Sequence, residues 1–215
     1  MKQLASCIIE DRPLDNLAKI IQQHQKLLPD NDLYIGCNKK VEKLLYEEFP
    51  NAFFFHVPEP LHDVSYSMNN GYNRLHTRSS FWNRFLGYKN LFTFQSDSVI
   101  FRKGIEEFYR WDLVGAPWRF QDHGGNCGAA LRTPEIMAKI CDMFPWNSSL
   151  GNEDVYFSNI LHAHPEIGKL APRHVCLKWG VESVFSLDTF CGHAYWKHLN
   201  EDECEQINKQ KFETF

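Results

Sequence analysis

Short apolar runs alternate with helical periodicities along the first quarter of the sequence, and this alternation limits the folds open to the chain. A run of β-forming residues at 3–9 precedes leucines and isoleucines that recur at helical spacing between positions 14 and 28. The order then repeats, with an apolar run at 33–35, a helical pattern at 41–49 and another apolar run at 53–57. Strands that alternate with helices form parallel sheets with helices on their faces. The sequence therefore predicts an α/β fold with a mostly parallel central sheet flanked by helices.

The chain is long enough to bury one substantial core. It has 215 residues, of which 43% are hydrophobic and 14% aromatic, and this length is ordinary for a single domain. No repeat, linker or low-complexity segment divides it, so we predict one domain over residues 1–215. Asn69, Asn70 and Gly71 predict a turn that leads into a helical segment at 72–82.

Charge and cysteine content argue against several classes of partner. The net charge is -4 and the lysines and arginines are scattered, so a nucleic-acid surface is not predicted. The seven cysteines are an odd number without C-x-x-C spacing, which argues against a disulfide framework and a structural zinc cluster. No segment approaches the roughly 18 apolar residues of a membrane span. We expect a cytoplasmic protein with no membrane span and a small-molecule partner.

The strand predicted at 91–95 ends in a run of small polar residues that an apolar core would not accommodate. Gln95, Ser96, Asp97 and Ser98 interrupt the apolar stretch FTFQSDSVIF. Ligands bind outside the carboxyl ends of strands in open α/β sheets, so this exit and the charged exit at 10–12 are expected to face one crevice. A carboxylate on a rigid strand end is a candidate metal ligand, although an aspartate there is also a common turn former.

Three later features offer further polar groups, each with a purely structural alternative. Asn126 lies among glycines, where the backbone can approach a ligand closely or simply turn. Glu153 and Asp154 open a helix, where acids complement the dipole; at most one of them can face the crevice as a general base. His193 lies between small residues that leave room for its ring to reach a metal, but most histidines are structural or exposed.

Several of these segments together resemble a known family. FQSDS, WDLVGAPW, GNCGAALR, NEDVYFS and a late Gly-His followed by an aromatic residue occur in the order seen in a glycosyltransferase-like family catalogued as a domain of unknown function, which has the GT-A fold. YNRLHTRSSFW and IIEDRPLDNL also look like segments of that family, so the resemblance covers about residues 8–196.

The resemblance implies a GT-A, Rossmann-like fold and transfer of a sugar from a UDP-sugar donor to a hydroxyl of a glycan or other acceptor. It implies that Asp97 and His193 bind a metal, and that Asp154 or Glu153 is the catalytic base of an inverting enzyme. This mixed ligand set favours Mn²⁺ over Mg²⁺. The predicted nucleotide-sugar-binding residues are Ile9, Glu10, Arg12, Asn73, Arg74, Gln95, Ser96, Asp97, Ser98, Trp118, Asn126, Cys127 and Gly128.

The sequence departs from the family pattern at three places, which keeps other functions open. Gln95 replaces the first aspartate of the acidic motif, Cys127 replaces a glycine, and Ala194 with Tyr195 replaces a lysine-proline pair that contributes a phosphate contact. Arg12, Arg74 or Lys197 are candidates to replace that contact. The alternatives are a catalytically weak or dead nucleotide-sugar or glycan-binding module, a retaining glycosyltransferase, and a metal-dependent phosphohydrolase.

Overall fold

A six-stranded sheet lies at the centre of the fold, and a three-stranded sheet lies beside it. The computed structural model describes residues 1–28, 30–57, 60–61 and 71–213; the predicted turn residues Asn69 and Asn70 lie outside them. The strands are β1 Lys2–Ile9, β2 Asp32–Cys37, β3 Phe53–His56, β4 Tyr88–Phe94, β5 Ser98–Ile100, β6 Leu113–Ala116, β7 Asn126–Arg132, β8 Gly180–Val181 and β9 Cys191–His193. Their order is β3-β2-β1-β4-β7-β6 in the large sheet and β5-β9-β8 in the small one.

The large sheet is mostly parallel. β1 pairs in parallel with β2 and β4, and β2 pairs in parallel with β3. β7 runs antiparallel to both β4 and β6, so β6 points in the same direction as β1. The carboxyl ends of five strands and the start of β7 therefore meet at one edge. The prediction of a mostly parallel α/β fold is confirmed.

Helices pack on both faces of this sheet. The helices on its faces are α1 Leu17–Leu27, α2 Lys39–Leu45, α3 Gly71–His76, α4 Ser79–Trp82, α5 Pro134–Met143, α6 Glu153–Ala163 and α7 Arg173–Trp179; α8 Glu201–Glu213 instead packs against the small sheet through Ile207. Asn38 caps α2, because its side-chain oxygen accepts bonds from two backbone N–H groups at 3.0 Å. The segment predicted as helical at 72–82 forms two helices, α3 and α4, rather than one. Among the described helices, none is long and apolar enough to cross a membrane.

The alternation of side chains along β1 explains why its sequence is almost continuously apolar. Leu4 and Ile8 pack into the core beneath α1, α2 and α7, whereas Ala5, Cys7 and Ile9 pack into the core beneath α4, α5 and α6. Both faces of the strand are buried, as expected for a parallel strand inside an α/β fold.

The small sheet brings a late segment of the chain to the end of β4. Ser98 of β5 pairs with His193 of β9, and the backbone N–H of Ala194 donates to the carbonyl of Asp97 at 3.0 Å. Residues almost a hundred positions apart thus share one edge of the fold.

Among the residues that the structure describes, two histidines are fully buried within the cores. His24 of α1 stacks on Phe94 of β4 with 4.2 Å between the ring centroids, and its Nε2 lies 3.2 Å from Ser98 Oγ. Burial lowers the pKa of His24 to about 4 and that of His76 to about 3. Both side chains are therefore neutral in the folded protein at neutral pH.

We expect the free energy of unfolding to fall as the pH decreases from about 6.5 to 4. In that window these histidines bind protons in the unfolded chain but not in the folded chain, so acidification favours unfolding. For His24 alone, the free energy of unfolding should fall by about 3 kcal/mol. Urea unfolding of His24→Gln at several pH values should show a shallower pH dependence than the wild type. The exposed-histidine variant His174→Gln should keep the wild-type dependence. An unchanged slope in His24→Gln would contradict the assignment.

Candidate functional site

The candidate site lies where β1 and β4 end, at the point where the order of the strands reverses. β2 and β3 lie on one side of β1, whereas β4, β7 and β6 lie on the other. Crevices at such points bind ligands in open α/β sheets. Glu10 follows β1 and Ser96 follows β4, and Ser96 Oγ donates a hydrogen bond to Glu10 Oε2 at 2.9 Å. The two strand exits are therefore in direct contact.

Arg12 binds to the same carboxylate. Its Nε and Nη2 atoms each lie 2.8 Å from an oxygen of Glu10, and Nη2 lies 3.3 Å from Ser96 Oγ. The side chain of Glu10 is buried, but 47% of the Arg12 side chain is exposed. A bidentate pair of this kind fixes the orientation of the guanidinium group. The pairing with Glu10 therefore holds the positive charge of Arg12 at the edge of the crevice.

His193 lies between two carboxylates. Its Nε2 is 3.1 Å from Asp97 Oδ1, and its Nδ1 is 3.2 Å from Glu182 Oε1. Burial alone would lower the pKa of His193, but hydrogen bonds and charge from Asp97 and Glu182 outweigh burial and raise it to about 9. The ring is an imidazolium at neutral pH in this arrangement.

Asp97 is paired on both of its oxygens rather than standing free at the strand end. Lys197 Nζ lies 2.8 Å from Asp97 Oδ2, opposite the contact with His193. Burial tends to raise the pKa of Asp97, but His193 and Lys197 outweigh it and hold that pKa well below its usual range. The carboxylate is therefore ionised. About half of the Lys197 side chain is exposed, so a second cation faces the crevice beside Arg12.

Gly128 provides the space that His193 occupies. A Cβ atom at position 128 would lie 2.3 Å from the ring of His193, closer than any side chain tolerates. The backbone of Gly128 is also bonded on both sides, because its N–H donates to Asn126 Oδ1 and its carbonyl accepts from the N–H of Gln95, both at 2.8 Å. Gly128 thus contacts His193, Asn126 and Gln95, which come from three different segments of the site.

Three donor atoms next to each other could hold a metal ion. Gln95 Oε1 and Asp97 Oδ1 each lie 3.1 Å from His193 Nε2. Ligands about 2.1 Å from one octahedral ion lie about 3 Å apart, so this spacing fits. Metal-binding histidines usually donate the N–H of their other ring nitrogen to a carboxylate, and Nδ1 of His193 lies 3.2 Å from Glu182 Oε1 in the same way. Counting only His, Cys, Asp and Glu, no group of three or more in the described part of the chain could hold a metal.

The two acids at the start of α6 have different surroundings. Glu153 is buried and its Oε1 lies 2.9 Å from Nη2 of Arg132, which has no exposed surface. Arg132 also stacks over Trp82, with 5.3 Å from its Cζ to the ring centroid. Burial raises the pKa of Glu153, and Arg132 opposes that effect. Glu153 therefore belongs to a buried ion pair under the helix.

Asp154 is the acid that lies beside the predicted binding loop. Its Oδ2 is 3.5 Å from Asn126 Nδ2, and its Oδ1 accepts a bond from the N–H of Val155 at 2.8 Å. Burial and the negative charge of Glu153 raise the pKa of Asp154 to about 7. A carboxylate with this pKa can accept a proton near neutral pH.

Asn73 fixes the start of α6 from the neighbouring helix α3. Its Oδ1 accepts from the N–H of Glu153, and its Nδ2 donates to Asn152 Oδ1, both at 3.0 Å. Asn73 therefore holds the start of the helix that carries the acids. Arg74, the next residue of α3, is partly buried.

Besides Glu10 and Asn73, four of the predicted nucleotide-sugar-binding residues have buried side chains. They are Ile9, Ser98, Cys127 and Trp118. Ser98 Oγ donates to the carbonyl of Gln95, and Cys127 Sγ to that of Gly125. These four residues remain candidates for contacts through their backbone only.

Glu182 and Arg132 are not among the site residues predicted from the sequence. Glu182 follows the two-residue strand β8 and reaches the site only because β8 pairs with β9. Arg132 ends an apolar strand, where an arginine normally indicates the return to solvent. The sequence gives no local signal that either side chain is buried beside a functional group.

Comparison with known proteins places the chain in a family. Residues 59–193 match the family described as "Protein of unknown function (DUF5672)", which is more than half of the sequence. The chain belongs to this family. No curated protein matches its sequence.

Solved structures similar to this DUF5672 protein include glycosyltransferases at low identity. The apo form of GlyE from Streptococcus pneumoniae TIGR4 aligns with 99% of this chain and 64% of its own, at a TM-score of 0.49 and 10% identity. The apo structure of the bifunctional glycosyltransferase WbbM aligns with 98% of this chain and 44% of its own, at a TM-score of 0.46 and 14% identity. Another structure of GlyE from the same organism aligns with 76% of this chain and 43% of its own, at a TM-score of 0.44 and 12% identity. The chain thus spans less than two thirds of these proteins.

We expect Gly128→Ala to separate His193 from Asp97 in this DUF5672 protein. The added methyl group overlaps the imidazole ring, so the ring must move, at a cost of about 1–3 kcal/mol in unfolding free energy. In an NMR titration, the pKa of His193 should fall from its raised value towards 6.5. Gly87→Ala is the matched control, since a Cβ atom at Gly87 meets nothing within 4 Å. A folded Gly128→Ala protein with an unchanged His193 pKa would refute this role.

Proposed function

We propose that the chain transfers a sugar from a UDP-sugar donor to an acceptor hydroxyl, with inversion at the anomeric carbon. The observation that carries the proposal is the presence of two distinct polar centres along one sheet edge. Asp97, His193 and the exposed cations lie at the β1–β4 reversal, whereas Asp154 lies near the start of β7. The first centre offers metal ligands and cations for a donor diphosphate, and the second offers a base for the attacking hydroxyl.

The proposed metal is Mn²⁺, or Mg²⁺, held by Gln95, Asp97 and His193. The spacing of their donor atoms fits, and the imidazole favours the softer ion. When bound, the ion supplies positive charge that stabilises the leaving diphosphate. Metal binding would replace the proton on His193 Nε2, which faces Asp97, and Glu182 would keep the ring oriented from Nδ1.

The cations at the crevice would bind the donor phosphates. Lys197 and Arg12 are each about half exposed and each held in place by a carboxylate, so both present positive charge to an anion in the crevice. Lys197 is the candidate to replace the missing lysine of the family pattern. The base and ribose would lie over the end of β1, beside Glu10.

Asp154 would deprotonate the acceptor hydroxyl. Its raised pKa suits a general base at neutral pH, and Asn126 lies close enough to orient its carboxylate. Glu153 is the positioning residue, because its ion pair with Arg132 and its backbone bond to Asn73 fix the first turn of the helix. A base that acts from the face opposite the leaving diphosphate gives an inverted product.

A binding module without catalysis is the second candidate. It is favoured by the pairing of Asp97 with both His193 and Lys197, which a donor complex must rearrange. Incubation with Mn²⁺ and a panel of UDP-sugars separates the two candidates. UDP release above the spontaneous rate supports a transferase, whereas saturable UDP-sugar binding without release supports the module.

We expect Asp97→Ala to weaken Mn²⁺-dependent UDP binding at least tenfold, because the variant lacks the only charged protein ligand of the proposed ion. Calorimetry with and without Mn²⁺ measures this, and circular dichroism confirms that the variant folds. The exposed-carboxylate variant Asp202→Asn should bind UDP as the wild type does. Equal Mn²⁺-dependent affinity in a folded Asp97→Ala protein removes Asp97 from the site.

We expect Asp154→Asn to lower turnover by about 10² or more while UDP-sugar binding is kept, as for loss of a general base. In the wild type, kcat/KM should rise with pH through about 7, as Asp154 loses its proton, and this limb should disappear in the variant. Asp142→Asn, an exposed acid on α5, is the control. NMR of the first-formed product should show an inverted anomer; a retained anomer would exclude Asp154 as the base of a single displacement.

A further inference from the structure

The loop at 117–125 carries an exposed aromatic ring at the same sheet edge as the candidate site. This loop joins β6 to β7, and Ala116 before it pairs with Asn126 after it. Phe120 in the loop has 71% of its surface exposed, although Trp118 beneath it is buried. The two rings are stacked, with centroids 5.1 Å apart and planes 26° apart. One face of Phe120 is thus supported and the other is open.

Hydrogen bonds hold the loop in this conformation. Arg173 Nη1 donates to the carbonyl of Trp118 at 2.9 Å and to that of Gln121 at 3.0 Å. Gln121 Nε2 donates to Asn159 Oδ1 on α6 at 3.1 Å, and His123 Nε2 lies 3.1 Å from the same oxygen. A loop bound from two helices keeps its exposed ring in a fixed place, which lowers the entropy cost of binding.

Two open surface depressions lie beside the loop, and Phe120 lines the first of them. The first, about 490 Å³, is lined by Arg119, Phe120, Gln121, Asp122 and Arg173. The second, about 430 Å³, shares Asp122 and Arg173 with the first and extends past His123 and His162. We call the two together the loop groove. Each has the volume of a small-molecule site.

The side chains of the loop groove suit a carbohydrate. One aromatic face can cover the C–H face of a sugar ring, and the guanidinium, amide and carboxylate groups beside it offer both donors and acceptors for hydroxyls. A groove for an apolar partner would not have so many charged and amide groups along its walls.

The position of the loop groove suits the acceptor rather than the donor. β6 is three strands from β1, which places it about 14 Å from the end of β1 where the nucleotide is proposed to lie. β7, whose first residue Asn126 contacts Asp154, lies between β6 and β4. Donor, base and the part of the loop groove that Phe120 lines therefore follow one another along the edge of the sheet.

We propose that the loop groove binds an oligosaccharide acceptor, with Phe120 stacked on one of its sugar rings. That the bound oligosaccharide is an acceptor rests on the proposed transferase function. The groove and the class of its ligand follow from the residues of the loop alone. Binding of an oligosaccharide here needs neither UDP nor a metal.

A printed oligosaccharide array probed with the fluorescently labelled full chain, without nucleotide or metal, tests the proposal. We expect the wild type to bind a subset of the array, Phe120→Ala to bind that subset about tenfold more weakly, and Phe120→Trp to retain binding. Phe53→Ala is the control, because it removes an exposed aromatic ring from β3, the outer strand on the side of the sheet away from β6. This variant should bind as the wild type does.

Two outcomes would overturn the inference: no oligosaccharide bound by the wild type, or equal binding by wild type and Phe120→Ala. A parallel UDP titration with Mn²⁺ separates this inference from the proposed function. If Phe120-dependent glycan binding is found without any UDP binding, the loop groove stands and the transferase proposal fails. If UDP binds and releases from its sugar but no glycan binds, the reverse holds.

Discussion

The buried ion pair between Arg132 and Glu153 determines where the candidate base can lie. Transfer of both charges out of water is costly, and loss of one partner would leave the other charged and unpaired in the core. The guanidinium of Arg132 also lies over the rings of Trp82 and Phe157, which adds two further contacts that position the pair. Within the described residues, Nε and Nη1 of Arg132 and Oε2 of Glu153 have no hydrogen-bond partner, so a single contact of 2.9 Å joins the two side chains. The start of α6 is fixed to the sheet at this point.

Adjacent acids at the start of α6 thus acquire different chemistry from their surroundings alone. Glu153 has a buried cation as its partner, whereas Asp154 has an amide side chain and the charge of Glu153 beside it. The same negative charge that Arg132 neutralises on one side raises the proton affinity of Asp154 on the other. Two neighbouring carboxyl groups with different pKa values are a recurrent means by which enzymes assign one group to structure and the other to proton transfer.

The sequence predicted the parts of this arrangement that depend on local pattern. The alternation of strands and helices, and the polar break after β4, follow from side-chain periods of two and about 3.6. The break at 77–78 between α3 and α4 was missed, because Thr77 and Arg78 do not interrupt the apolar periodicity. The pairing of Asp97 with His193 could be suggested only by resemblance, since it depends on β5 and β9 joining across more than ninety residues. The space above Gly128 depends on the same pairing, and the position of Glu182 depends on the pairing of β8 with β9, so neither can be predicted from nearby residues.

Because β7 runs antiparallel to its neighbours, the loop that leads into it can vary in length and sequence more than a connection between parallel strands can. A parallel crossover must span the sheet with a helix, so a change in its length disturbs the packing of a face. The β6–β7 hairpin instead returns directly at the edge of the sheet, and its loop at 117–125 can change in length or composition without shifting the register of β1 to β4. Related chains could therefore diverge in what they recognise at this corner while the residues at the β1–β4 reversal stay the same, so that specificity and chemistry can evolve separately.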